Sequence, residues 1–151
     1  NLMMKNFDQQ PISHGWRIDF ASARNQATRL KGTYDIQAPS IHTAAAKLSG
    51  GNLQKVILAR EISGGPRLII AMQPTRGLDV GAIESIQKLL LEQRSNQAAI
   101  LLISEELDEL LELSDRVAVI YEGRIVGEVD PQGADINSIG LMMTGAQGAK
   151  T

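Results

Sequence analysis

The order of apolar runs in residues 68–129 limits the possible architecture more than any other feature. Leu68-Ile69-Ile70-Ala71 is a short uninterrupted apolar run after a Gly64-Gly65-Pro66 break, and Ala99-Ile100-Leu101-Leu102-Ile103 is a second. Short runs bounded by turn residues read as buried strands. Between them Ile83, Ile86, Leu89 and Leu90 recur on one face of a helix over 81–94. A short acidic helix over 106–113 follows, then strands 116–121 and 124–129 joined by Glu122-Gly123, a hairpin signal. Strand, helix, strand, helix, strand predicts an α/β fold with parallel strands and a C-terminal antiparallel hairpin.

The preceding half carries no strand signal and reads as a helical attachment. Residues 1–18 are expected to be irregular, with Pro11 and Gly15 as breakers. A helix is predicted over 20–31, capped by Asp19, with Phe20, Ala23, Ala27 and Leu30 on its apolar face and Gly32 as its stop. Residues 33–47 are expected as a loop around Pro39, and Leu53 to Ile62 as a second helix. A terminal helix is predicted over 137–143, with a frayed tail over 145–151.

Composition narrows the chemistry. A 151-residue chain that is 43% hydrophobic can bury one core. With no cysteine, disulfide scaffolds, thiolate metal sites and cysteine nucleophiles are excluded. No stretch reaches the roughly 20 apolar residues of a membrane span. The opening Asn-Leu-Met-Met-Lys-Asn-Phe-Asp has neither an initiator Met nor a signal-peptide pattern, so a piece of a longer chain is expected. The net charge of −2 does not suggest nucleic acid as a partner. It is unevenly spread: residues 1–60 hold eight Lys/Arg and three Asp, a net +5, and residues 61–151 hold seven Lys/Arg and fourteen Asp/Glu, a net −7. The split fits two solvated faces, or a basic half that approaches a polyanion such as a nucleotide phosphate.

The strongest local motif is Leu48-Ser49-Gly50-Gly51-Asn52-Leu53-Gln54-Lys55. Ser-Gly-Gly before a helix offers backbone N–H groups at the positive end of the helix dipole, which suits phosphate. Glycine there lets backbone approach an anion closely. The same residues also fit a serine N-cap with loop glycines.

Thirteen residues separate Gln54 from Leu68-Ile69-Ile70-Ala71-Met72-Gln73-Pro74-Thr75-Arg76-Gly77-Leu78-Asp79. Together these segments resemble the ATP-binding cassette (ABC) ATPases. Residues 48–54 look like the family signature, 68–75 like the Walker B strand with its Pro-Thr exit, and 75–79 like the D-loop. Residues 103–109 with Ser114 to Ile120 look like the switch-loop strand, helix and next strand. Order and spacing agree over about 48–127. Pro74 to Ala82 resembles importers of simple sugars and nucleosides, whose ATPase subunit usually carries two cassettes, and the likeness is to the second.

The chain departs from that pattern in several places. No Gly-x-x-x-x-Gly-Lys-[Ser/Thr] occurs, and Gly145-Ala146-Gln147-Gly148-Ala149-Lys150-Thr151 is one residue too short to supply it. Met72 and Gln73 stand where the family has Asp and Glu, and Glu105 where it has the switch His. A thioether is a poor ligand for the hard Mg²⁺ ion, and an amide cannot act as a base. A carboxylate at 105 would repel a γ-phosphate by roughly 4 kcal/mol at 4 Å and an effective dielectric of 20.

The resemblance therefore implies a partial P-loop NTPase core. Residues 1–63 would form a helical subdomain ending in the signature helix, 64–130 the C-terminal half of the nucleotide core, and 131–151 a C-terminal helix and tail. Ser49, Gly50, Gly51, Asn52, Gln54 and Asp79 would complete an ATP and Mg²⁺ site on a second cassette. Met72, Gln73 and Glu105 would leave this chain's own site degenerate, so the chain alone is expected not to hydrolyse ATP. Membrane-spanning permease subunits would be partners, nucleic acid would not, and the location would be the inner face of the cell membrane. The alternatives are a soluble ABC-type ATPase and a non-catalytic cassette-like regulatory module. His14 and His42 read as loop residues without metal-like spacing, Trp16 as local packing, and Met3, Met4, Met142 and Met143 as end packing. The acidic stretch Glu105, Glu106, Asp108, Glu109 and Glu112 reads as a surface favoured by the helix dipole. Strand Ala99–Ile103 is expected to be an exposed apolar edge, because the strand it pairs with in the family is absent.

Overall fold

The computed structural model describes residues 1–5, 7–14 and 17–146. Trp16 and residues 147–151, hence most of the Gly145–Thr151 segment, lie outside the described residues. By contact density the chain divides into two compact units, Asn1–Leu101 and Leu102–Thr151.

The first unit opens with two short antiparallel strands, β1 (Ser13–His14) and β2 (Arg17–Ile18), where an irregular segment was expected. Helix α1 spans Phe20–Thr33. Asp19 caps it, accepting from the N–H groups of Ala21 and Ser22 at 2.8 and 3.2 Å. Gly32 does not stop it. The left-handed position falls three residues later, at Asp35 (φ 46°), where the Asp35 N–H donates to the Gly32 carbonyl and the Ile36 N–H to Lys31. That is the hydrogen-bond pattern of a Schellman cap. Leu30, Tyr34 and Ile36 are all buried there, so the last turn is held by packing that outweighs the roughly 1 kcal/mol propensity cost of an interior glycine.

A 3-10 turn over Ala45–Lys47 leads into helix α2 (Gly50–Ile62). This helix begins three residues before the predicted Leu53. Ser49 is the N-cap, and both glycines lie inside the first turn. Strand β3 (Leu68–Met72), helix α3 (Val80–Ser95) and strand β4 (Ala99–Ile103) follow, with β3 and β4 paired in parallel. Helix α3 buries Ile86 and Leu90 and ends in a second Schellman cap, with Gln97 left-handed (φ 67°) and the Ala98 N–H donating to Gln93.

The expectation that both strands are buried is overturned. In β3 only Ile69 and Ala71 are buried, while Leu68, Ile70 and Met72 on the alternate face are exposed. In β4 no residue is buried, and Leu101 and Ile103 are exposed. An apolar run fixes a strand's identity but not what covers its two faces.

The second unit holds helix α4 (Leu107–Leu113), strands β5 (Val117–Tyr121) and β6 (Arg124–Val129), and helix α5 (Ile136–Met143). The hairpin turn is Glu122-Gly123 with both residues at positive φ, the requirement of a tight two-residue turn. The ladder shifts register between Val119 and Ile120, forming a bulge. Among the described residues β5 pairs with β6 as an antiparallel hairpin. Val117, Val119 and Ile139 form the core of this unit. The Met142 thioether occupies the space a side chain at Gly127 would need. Glu109 is buried, against its reading as surface, while Glu105, Glu106, Asp108 and Glu112 are exposed.

Candidate functional site at the start of helix α2

The Ser49 side-chain oxygen accepts from the Asn52 N–H (3.4 Å) and from the Asn52 side-chain amide (2.9 Å). A hydroxyl has two lone pairs and one hydrogen. Both acceptor positions are thus used, and the Ser49 hydrogen remains to donate. The first turn of α2 contains no acidic residue, so its positive dipole end is not neutralised by its own side chains. Ser49 and Gly50 are exposed; Gly51 is buried.

Asn52 acts as a clasp. Its side-chain oxygen accepts the Gln37 N–H at 2.6 Å, joining α2 to the segment after α1. One turn on, the Lys55 ammonium bonds both the Asp35 carboxylate and the Asp35 carbonyl, each at 3.2 Å. Gln54 is half-buried on the same helix. Asp79 caps α3, its carboxylate accepting the Ala82 N–H at 2.9 Å. The starts of α2 and α3 meet. A side chain at Gly50 would stand 3.3 Å from the Leu78 methyl, and one at Gly51 only 2.6 Å from the Ala82 Cβ. Ser49, Gly50, Gly51 and Asp79 are therefore brought together through Leu78 and Ala82.

Met72 is 73% exposed at the end of β3. Gln73 follows in a left-handed backbone (φ 51°), and Pro74 and Thr75 are buried in the turn that leads to Asp79. Glu105 is exposed in the bend after β4, in the other compact unit. Among the described residues no group of three or more His, Cys, Asp or Glu side chains could hold a metal ion. The Met72 thioether is a poor ligand for the hard Mg²⁺ ion and Gln73 offers it only a neutral amide oxygen, so these two side chains bring no carboxylate to such an ion.

The Gln37, Asp35 and Ala82 partners were not singled out from the sequence. Gln37 and Asp35 lie fifteen to twenty residues from their partners, beyond any helical spacing. Ala82 carried one readable signal, a small residue near a helix start that could face a glycine.

The chain is 48% identical over 147 residues to the glucose import ATP-binding protein TsgD13 of Haloferax volcanii, across 96% of this chain and 27% of that protein. It is 46% identical to the guanosine import ATP-binding protein NupO of Bacillus subtilis, across 97% of this chain and 29% of that protein. It is 43% identical to the nucleoside import ATP-binding protein NupA of Lactococcus lactis subsp. cremoris, across 96% of this chain and 29% of that protein. The chain belongs to the ABC ATP-binding proteins. This ABC chain spans under a third of the length of these curated relatives. No family model matches it.

Solved structures agree on the fold. A dimeric ATP-binding cassette in a post-hydrolysis state bound to ADP and Pi aligns with a TM-score of 0.65 at 21% identity, over 78% of the ABC chain and 51% of that structure. A cassette of an ABC transporter in its ADP conformation aligns at 0.63 and 20% identity, over 94% of the ABC chain and 52% of that structure. Among the described residues of the ABC chain no helix is long and apolar enough to cross a membrane.

Proposed function

We propose that this chain supplies the signature half of an ATP site in an importer of sugars or nucleosides. Ser49, Gly50 and Gly51, with Asn52 and Gln54 beside them, face the γ-phosphate of ATP held by a second cassette, and Asp79 links the two sites. The observation that carries this reading is the start of α2, an exposed Ser49 whose hydroxyl retains a hydrogen to donate, above a helix turn free of acidic side chains. Such donors stabilise the charge that develops during phosphoryl transfer.

In this reading the chain's own Walker B and switch positions, Met72, Gln73 and Glu105, are degenerate. The chain alone does not hydrolyse ATP, and the Mg²⁺ ion is held by groups of the partner cassette. Residues 1–63 act as the helical subdomain, 64–130 as the C-terminal half of the nucleotide core and 131–151 as its terminal helix and tail. Permease subunits hold the assembly at the inner face of the membrane. The relatives' named cargoes, glucose, guanosine and nucleosides, support a sugar or nucleoside as the transported class.

Ser49→Arg tests the reading. In the importer assembly the substitution fills the anion position with a bulky side chain and is expected to abolish ATP turnover; unchanged turnover rejects the signature role.

A further inference from the structure

We propose that Gly51 is a positioning residue, whose missing side chain locks the Ser49-capped end of α2 against the Asp79-capped end of α3 so that the two caps move as one body. The two glycines of the motif differ. Gly50 is exposed, and the atom nearest its absent Cβ is a flexible Leu78 methyl at 3.3 Å. Gly51 is buried, and its absent Cβ would stand 2.6 Å from the Ala82 Cβ and 3.8 Å from the Ala82 Cα. Neither of those atoms can rotate aside. An alanine at 51 must open the pair by about 0.8 Å to reach ordinary contact. The helical glycines Gly32 and Gly140, by contrast, have nothing within 4 Å of a Cβ.

The contact ties together two hydrogen-bonded caps. Ser49 accepts from Asn52 on α2, and Asp79 accepts from Ala82 itself on α3. A displacement at Gly51 is therefore transmitted into the hydrogen bond that fixes the Asp79 carboxylate. The contact stands on its own geometry, and only its consequence for ATP turnover rests on the signature reading above.

Helix propensity makes the test discriminating by sign. Replacing glycine by alanine in a helix raises stability where nothing opposes it. Gly32→Ala is expected to raise the melting temperature of this chain. Gly51→Ala is expected to lower it by about 3–8 °C and to speed amide exchange at Ala82, on the unmutated helix. In an Ala82→Gly background the same Gly51→Ala change is expected no longer to lower the melting temperature. A rise on Gly51→Ala alone, or an equal fall in both backgrounds, overturns the lock.

In the importer assembly Gly51→Ala is expected to lower kcat more than it alters KM for ATP, and Ala82→Gly to restore it, while Ser49→Arg is lost in either background. Turnover insensitive to Ser49→Arg removes the signature reading and leaves the lock to be judged by melting and exchange. Unchanged turnover in Gly51→Ala, or turnover that stays lost in the double variant when its melting temperature is regained, overturns the positioning role.

Discussion

At Ser49 the hydroxyl oxygen is engaged twice by Asn52, and Asn52 in turn holds Gln37 across fifteen residues of sequence. Asn52→Ala removes the side-chain half of that clasp and leaves the Gln37 N–H without this acceptor. It is expected to destabilise the fold by about 1–2 kcal/mol in urea denaturation. A second residue-scale effect is electrostatic. The Lys5 ammonium hydrogen-bonded to Glu61, with the neighbouring Arg60 guanidinium, holds the Glu61 carboxyl below its ordinary 4.5. A depressed carboxyl binds fewer protons folded than unfolded, so its contribution is present above pH 4.5 and is lost as pH falls through the lower folded value. Glu61→Gln is expected to flatten the stability curve in that acidic window, measured by urea unfolding at several pH values, and to leave its shape above pH 6 unchanged. In the sequence Ser49 was legible as a cap, because capping depends on local order. Asn52 as a clasp was not, since its partner is fixed only by the tertiary path of residues 34–37.

At the scale of elements, the capping residues do much of the work. Asp19, Ser49 and Asp79 each accept a backbone N–H of the helix they precede, and Asp35 and Gln97 close helices in a conformation more often taken by glycine. Asp79→Ala is expected to cost about 1 kcal/mol, read as a lower urea midpoint with an unchanged slope. Strands Ala99–Ile103 and Arg124–Val129 fall where their apolar pattern and hairpin signal put them. Helix ends were less legible. Gly32 reads as a stop, yet the stop belongs to whichever residue takes the left-handed slot, and Asp35 took it. Gly50 and Gly51 read as loop, yet a first helical turn closed by a serine cap accommodates them.

At the scale of the whole molecule, the family is secure along nearly the whole of this chain, and the relatives are more than three times as long. Gly51 illustrates what remained hidden in the sequence. Its spacing marked it as backbone open to an anion, but its burial against Ala82 comes from two helices sixteen or fewer residues long meeting at their starts. The exposed face of Leu68, Ile70 and Met72, with exposed Leu101 on the neighbouring strand, gives a further prediction. Such a face beside an open strand edge favours self-association. Sedimentation velocity over a tenfold range of concentration is expected to show a rising sedimentation coefficient, and Ile70→Lys to reduce it. Titration of the isolated chain with Mg-ATP is expected to show no micromolar binding, and a micromolar isotherm would contradict the reading that its own site is degenerate.

The same uncovered stripe sets how the chain's stability is to be measured. A partner that settles on Leu68, Ile70 and Met72 of the folded form, with no affinity for the unfolded one, adds RT ln(1 + [L]/Kd) to the free energy of unfolding. A ligand at a hundred times its dissociation constant adds about 2.7 kcal/mol, a large share of a small domain's total. The melting temperature of this chain thus depends on its solution as well as its sequence, rising with a partner that prefers the folded stripe and falling with one that prefers the unfolded chain.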